Sequence, residues 1–346
     1  MATQSSLFTA LGAGMPVLAA PMAGGPTTPR LVTAAAGAGS LGFLAGGYKT
    51  PDALAEDIAA VRRAGVSFGV NLFAPNPVPV DPEAFRGYAR AIDREAQDYG
   101  IDLRETAIVE DDDRWRDKID LLLTDPVPIV SFTFGLPETA VIAALRDAGS
   151  MVIQTVTSPA EARLAAEAGA DALVVQASAA GGHSGTLTPQ VIPAPVPLPD
   201  LLGQVRQAVS LPLIAAGGIA TPAAMREALS AGAAAVAVGT VLLRAVEAGT
   251  SAPYRAALAD PARQQTVVTR AFTGRPARGL RNAFTDRYSE LAPLGYPALH
   301  YLTSPIRKAS VAANDPERIN LWAGTGFREA TAEPAARILR RLTSDL

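Results

Sequence analysis

Five times along the chain a run of helix-forming residues ends in Ala-Gly and gives way, within a few residues, to a short and continuously apolar run. The instances are AAAGAGSLGFL (34–44), RRAGVSFGVNLF (62–73), RDAGSMVIQTV (146–156), AEAGADALVVQ (166–176) and LSAGAAAVAVGT (229–240). A glycine at such a junction suits the C′ position of a helix, where φ is positive. The run after it is too short and too apolar for anything but a strand buried on both faces. The unit therefore reads as helix, then parallel strand. VLAA (17–20), PIVSFTF (128–134) and LPLIAAGG (211–218) supply three further apolar runs, and helix starts such as Ser158-Pro159 and Thr221-Pro222 follow the strands. Eight alternations predict a closed (β/α)8 TIM barrel. An open doubly wound sheet would usually have fewer strands and carry its glycine fingerprint after the first, whereas here the glycine-rich turns come late.

A barrel of this kind takes about 250 residues, and the chain has 346. The surplus falls in two places. Residues 74–126, which begin APNPVPVDP and run through EDDDRWRDKID, form an insertion after strand three. Residues 250–346 form a tail containing TGRPARGLRN, YPALHYLTSPIRK and INLWAGTGF, too rich in aromatic residues and glycine for disorder. The expected organisation is a barrel over residues 1–249, insertion included, with a C-terminal capping segment over 250–346 that packs across the barrel and its active site. The acidic run is expected to be a solvated helix start, not a metal site.

Composition narrows the partners. A hydrophobic content of 49% is enough for a large core, and a net charge of −3 leaves no basic footprint for nucleic acid or anionic lipid. With no cysteine, disulfides, thiolate nucleophiles and Cys-ligated metals are excluded together. The uncharged stretch from Leu7 to Gly25 has no basic residue ahead of it and is interrupted by Pro16 and Pro21. Neither a signal peptide nor a membrane helix is expected, and a cytoplasmic protein is. A small-molecule partner fits best; the oligomeric state is left open.

In barrels, phosphate groups commonly bind the loops after strands seven and eight, where backbone N–H groups and a helix N-terminus converge. Here those loops carry Gly217-Gly218 and the stretch Ala237, Val238, Gly239 and Thr240, small enough to let main chain approach an anion. Ordinary βα turns need glycine too, but two such loops at the expected strands favour a phosphate-bearing ligand. Strand six ends in Gln176 and runs on through the flexible pair Gly181-Gly182 to His183, one of two histidines. A glycine-flanked loop is a poor place for a core histidine and a good one for a functional histidine. Asn71, at the end of strand three, offers a donor and an acceptor to a heterocycle edge, or caps a turn.

Taken together, Ala20-Pro21-Met22-Ala23-Gly24-Gly25, Gln176 with GGHSG, AAGGI and AVGT resemble the nitronate monooxygenases, from strand one to the tail. The resemblance implies a cofactor, FMN, and oxidation of a small anionic nitronate by O2. VNLFAPNP and YPALHYLTSPIR point to the branch acting on propionate 3-nitronate. Position by position it implies FMN contacts at Asn71, Gln176, Gly181, Gly218 and Ala237 to Thr240, with Pro21, Met22 and Ala23 beneath the isoalloxazine and His183 as the catalytic residue. Thr133 stands where some relatives carry a histidine in the SFxFG segment, which counts against a two-histidine mechanism. Tyr254, Tyr301 and Lys308 could close the substrate side or merely pack the tail. Two other readings stand beside this one: an NAD(P)H-dependent FMN reductase of quinones or enoyl thioesters, and a non-catalytic protein that binds a phosphate ligand.

Overall fold

The structure, a computed structural model, describes residues 12–344 and 346; the first residues of the Leu7–Gly25 stretch lie outside them. Strands β1 (Val17–Ala19), β2 (Leu41–Ala45), β3 (Phe68–Ala74), β4 (Ile129–Phe134), β5 (Met151–Val156) and β6 (Ala172–Gln176) pair in parallel in chain order. A two-residue strand, β7 (Gly182–His183), leaves the barrel before β8 (Leu213–Ala216) and β9 (Ala235–Val238) complete it. Closure is made at β1, where Leu18 lies opposite Leu41 on one side and Ala237 on the other. Leu18, Leu41, Phe43, Ile129, Ile153 and Ile214 fill the interior, so the barrel is a packed core and not a pore.

The local signals explain why each unit forms. Gly39, Gly65, Gly149, Gly169 and Gly232, the junction glycines of the five repeats, all have φ between 65° and 100°. Helices α1 (Pro29–Gly37), α2 (Pro51–Arg62) and α3 (Pro82–Gln97) begin with a proline preceded by Thr28, Thr50 and Asp81. Each of these side chains accepts a backbone N–H of the first turn, and the proline has no N–H to leave unsatisfied. Helix α4 (Trp115–Thr124) is the barrel crossover after β3, since Ile119 and Leu122 lie in the outer barrel core. Helices α5 (Thr139–Asp147), α6 (Pro159–Ala168), α7 (Leu198–Ala208) and α8 (Pro222–Ser230) continue the ring.

After β9 comes only a 3-10 turn, Thr240–Leu242. Helices α9 (Ala252–Ala259), α10 (Ala283–Tyr288) and α11 (Ala298–Ala312) lie in the tail, and the last helix, α12 (Ala335–Leu342), returns to pack on α1. Packing thus groups the elements differently from their order along the chain. Val80, Phe85, Tyr88 and Ile92 of the insertion share one core with Phe272, Phe284, Leu299, Leu302 and Ile306 of the tail. Inside this cap the buried Glu95 carboxylate pairs with Arg287 at 2.6 Å and with Arg318, and accepts from the Tyr288 hydroxyl at 2.9 Å.

The acidic run is more than a solvated helix start. Asp113 pairs with the buried Lys118 at 2.7 Å and accepts the Tyr48 N–H at 3.0 Å, and Asp111 accepts from the Tyr301 hydroxyl at 2.6 Å, which ties the insertion to the barrel and to the tail. Among the described residues no group of His, Cys, Asp and Glu side chains could hold a metal ion, and no helix is long and apolar enough to cross a membrane.

Candidate functional site

A cavity of about 460 Å³ opens at the C-terminal ends of the barrel strands. The sequence-predicted residues after β1 (Pro21, Met22 and Ala23) line it, as do Asn71, Thr133 and Gln176 on the strands. So do Gly181, Gly182 and His183, Gly217 and Gly218, Ala237 through Thr240, and Tyr254 from the tail. Tyr301 instead lines a neighbouring cavity of about 180 Å³, and Lys308 lines neither.

One end of the main cavity is built almost wholly of main chain. Gly217 and Gly218 have φ of 104° and 77°, and a Cβ on Gly217 would lie 2.9 Å from the Ala177 carbonyl oxygen. The tail adds a loop that sequence reading did not assign to the site, Gly324-Thr325-Gly326. Its Gly324 N–H donates to Thr240 Oγ1 at 3.0 Å and its Thr325 N–H to the Ala179 carbonyl at 3.1 Å. A Cβ on Gly181 would come within 2.4 Å of the Gly324 nitrogen. Four loops of small residues therefore converge where backbone can meet an anion directly, with the 3-10 turn starting at Thr240 among them. A wall of main chain without side chains would fit a phosphate group.

The other end carries the side-chain chemistry. Asn71 Oδ1 accepts from the Ser131 hydroxyl at 2.9 Å and the Thr133 hydroxyl at 3.1 Å, which orients the amide and leaves its N–H donors for the cavity. Gln176 spends its amide on the following loop: Nε2 donates to the His183 carbonyl at 3.2 Å and Oε1 accepts the Gly185 N–H at 2.7 Å. This loop is not the flexible segment its glycines suggest. β7 pairs antiparallel with β11 (Ala277–Leu280), His183 opposite Ala277, and β11 pairs with β10 (Thr266–Thr269), so a three-stranded sheet fixes His183 over the barrel mouth.

His183 Nε2 lies 2.9 Å from Thr273 Oγ1, and the ring packs among Phe134, Tyr296 and Trp322 with centroids 5.3 to 5.7 Å away. Burial, then the charges of Arg275 and Arg307, lower its pKa to about 3. The imidazole is neutral. With the Thr273 hydroxyl donating to the Arg275 carbonyl at 3.4 Å, we assign the ring proton to Nε2 and the lone pair to Nδ1.

Several residues of the site carried no signal in the sequence. Tyr48, after β2, stacks on His300 of α11 at 4.1 Å and 3°, so the second histidine also reaches the cavity wall. Burial drives His300 well below the usual histidine range, with Arg307 adding to the effect. Tyr48 and Phe134 have positive φ, 65° and 84°, which costs a bulky residue energy; both stand in the partition between the two cavities. Trp322 and Arg307 complete the wall from the tail.

The profile of the nitronate monooxygenase family matches residues 5–345 of the chain. A probable nitronate monooxygenase of Staphylococcus aureus (strain Newman) is 33% identical over 100% of this chain and 98% of its own length. Among solved structures, a nitroalkane oxidase from Streptomyces ansochromogenes is 43% identical with a TM-score of 0.93, covering 99% of this chain and 97% of that one. FabK from Thermotoga maritima is 28% identical with a TM-score of 0.76, covering 98% and 94%.

Proposed function

The chain belongs to the nitronate monooxygenase family, a family of flavin-dependent oxidoreductases, and from that premise we propose that it binds FMN and oxidises alkyl nitronates with O2. Propionate 3-nitronate is the proposed substrate, giving nitrite or nitrate and a carbonyl product. The observation that carries the reading is that one cavity is lined both by converging glycine loops and by a fixed neutral histidine.

FMN would supply the redox chemistry, taking electrons from the nitronate and passing them to dioxygen. The glycine loops would hold its phosphate, and Asn71 would meet the ring edge with the amide donors that Ser131 and Thr133 orient. Phe134, Tyr296 and Trp322 keep water from the imidazole, which is why it stays neutral. A neutral imidazole is the form that accepts a proton, and Nδ1 is the atom left to accept it from the α-carbon of a nitroalkane. The resulting imidazolium would be poorly supported in this apolar pocket except beside the negative charge that the same step creates on the nitro group. A nitronate that arrives ionised needs only to be oriented.

The test is to purify the protein, identify any extracted flavin by mass, and assay nitrite from propionate 3-nitronate. FMN at about one per chain with oxygen-dependent nitrite release is expected. Colourless protein that takes up no FMN, or a yellow holoenzyme inert to nitronates and nitroalkanes alike, would overturn the proposal.

A further inference from the structure

Among the described residues, the cavity is lined by one cationic side chain, Arg307, and by no carboxylate. Arg307 stands on α11 with its Nε donating to Thr303 Oγ1 at 3.1 Å and its Nη2 to the His300 carbonyl at 2.8 Å. Its Nη1 has only a long contact, 3.4 Å, to Asn320 Oδ1. No carboxylate pairs with it among the described residues, and the surface it keeps accessible lies on the cavity wall. Burial lowers it only to about 10, so it is a cation at neutral pH. A desolvated guanidinium without a counter-ion is costly, and a site that keeps one gains most from a ligand that brings the missing negative charge.

The other charges nearby do not fill this role. Arg275 is fully buried, with its guanidinium on the Ser184 and Thr186 carbonyls and over the Phe134 ring at 4.1 Å. Glu161, which accepts the Thr186 hydroxyl at 2.7 Å, lies close enough to offset part of that charge. Lys308 is exposed. His183 is neutral and cannot offset an anion.

We propose that Arg307 is the substrate's counter-charge: its planar guanidinium meets the anionic nitro oxygens of a bound nitronate, and this selects the ionised nitronate over the neutral nitroalkane. The inference rests on the nitronate-oxidising reading above. The geometry suits it, because a nitronate group is planar with its charge shared between two oxygens, like a carboxylate, and a guanidinium offers N–H donors in a matching plane. The glycine loops that would cradle the phosphate belong to barrel turns and to residues 324–326, segments of the chain other than α11.

The experiment uses wild-type holoenzyme, Arg307→Gln and Arg307→Lys. Two quantities are read: the ratio of affinity, as 1/KM, for ethyl nitronate to that for nitroethane, and the Kd of nitrate from the flavin absorbance change. Arg307→Gln should lower the ratio about tenfold or more and weaken nitrate to a similar degree, while Arg307→Lys recovers most of both. Equal losses on the two substrates with no rescue by lysine would mean that Arg307 only braces His300 and Asn320, and would overturn the proposal. Loss of flavin from Arg307→Gln would assign the guanidinium to the cofactor and overturn it as well. If the wild type oxidised no nitronate, the functional reading would fall, and nitrate affinity alone would decide: equal affinity in wild type and Arg307→Gln refutes the role, and a tenfold difference supports it.

Discussion

At the scale of single residues the decisive quantity is the charge of His183. In the proposed reaction its Nδ1 would act as the base only while the ring is neutral, and with a pKa lowered to about 3 the ring is neutral at every pH an assay would use. For nitroethane, the activity of wild type should therefore show no loss with an inflection near 6.5, the ordinary histidine value, as pH falls; the protonated, inactive form would appear only near pH 3. His183→Asn should keep flavin but lower kcat/KM for nitroethane by about 10², with a smaller loss on ethyl nitronate, which has already given up the proton. Steady-state rates against pH for both proteins check this; equal losses on both substrates would make His183 a binding group. Gln176 and His183 were legible in the sequence as polar residues at and beyond the end of an apolar strand, and Asn71 as the one polar residue of an apolar run, which proves to be the middle of β3 and not its end. Arg307 was not legible, and Lys308 was chosen in its place. On a helix one residue turns the side chain by about 100°, so which of two neighbours faces the cavity depends on the phase of α11, set by Leu299, Leu302 and Ile306 packing into the cap.

At the scale of elements the barrel was legible because its units carry local signals: a capped proline start at α1, α2, α6 and α8, an Ala-Gly stop in five repeats, and short apolar strands. The cradle was legible only in part. The loops after β8 and β9 could be placed from barrel geometry, but Gly324-Thr325-Gly326 reaches the same point through the fold of a long tail, and no local pattern says which loop it meets. The two barrel loops are not equivalent as probes. Gly218 has φ of 77°, where any side chain is strained, whereas Gly239 has φ of −119° and ψ of −58°, outside the left-handed region. A Cβ on Gly239 would lie 3.4 Å from Met22 Sδ, so Gly239→Val adds two methyl groups at the cavity wall that Gly239 and Met22 share. The expected result is apoprotein with the circular dichroism of the wild type and a flavin Kd raised about a hundredfold or more, read by titration with FMN. A Gly239→Val protein that binds FMN as the wild type does would place the phosphate elsewhere.

At the scale of the whole molecule, insertion and tail form one cap. The Val80–Phe85–Tyr88 face of the first and the Phe272–Phe284–Leu299 face of the second bury each other, and Glu95 ties them with Arg287 and Arg318. The sequence showed both segments but not their partnership, because their contacts join residues nearly two hundred positions apart and neither carries a repeat that would pair them. The cap supplies Trp322, His300 and Arg307 to the cavity, giving it one cation, no carboxylate and an apolar wall around a neutral base. Such a site suits the anionic nitronate proposed as its substrate. The measurement that bears most directly on this is anaerobic: holoenzyme is mixed in a stopped-flow cell with propionate 3-nitronate or with NADH, and the flavin absorbance is followed. Rapid bleaching by the nitronate, reversed on admitting oxygen and indifferent to NADH, is the expected result; rapid bleaching by NADH with an inert nitronate would contradict it and make the protein a nicotinamide-driven reductase.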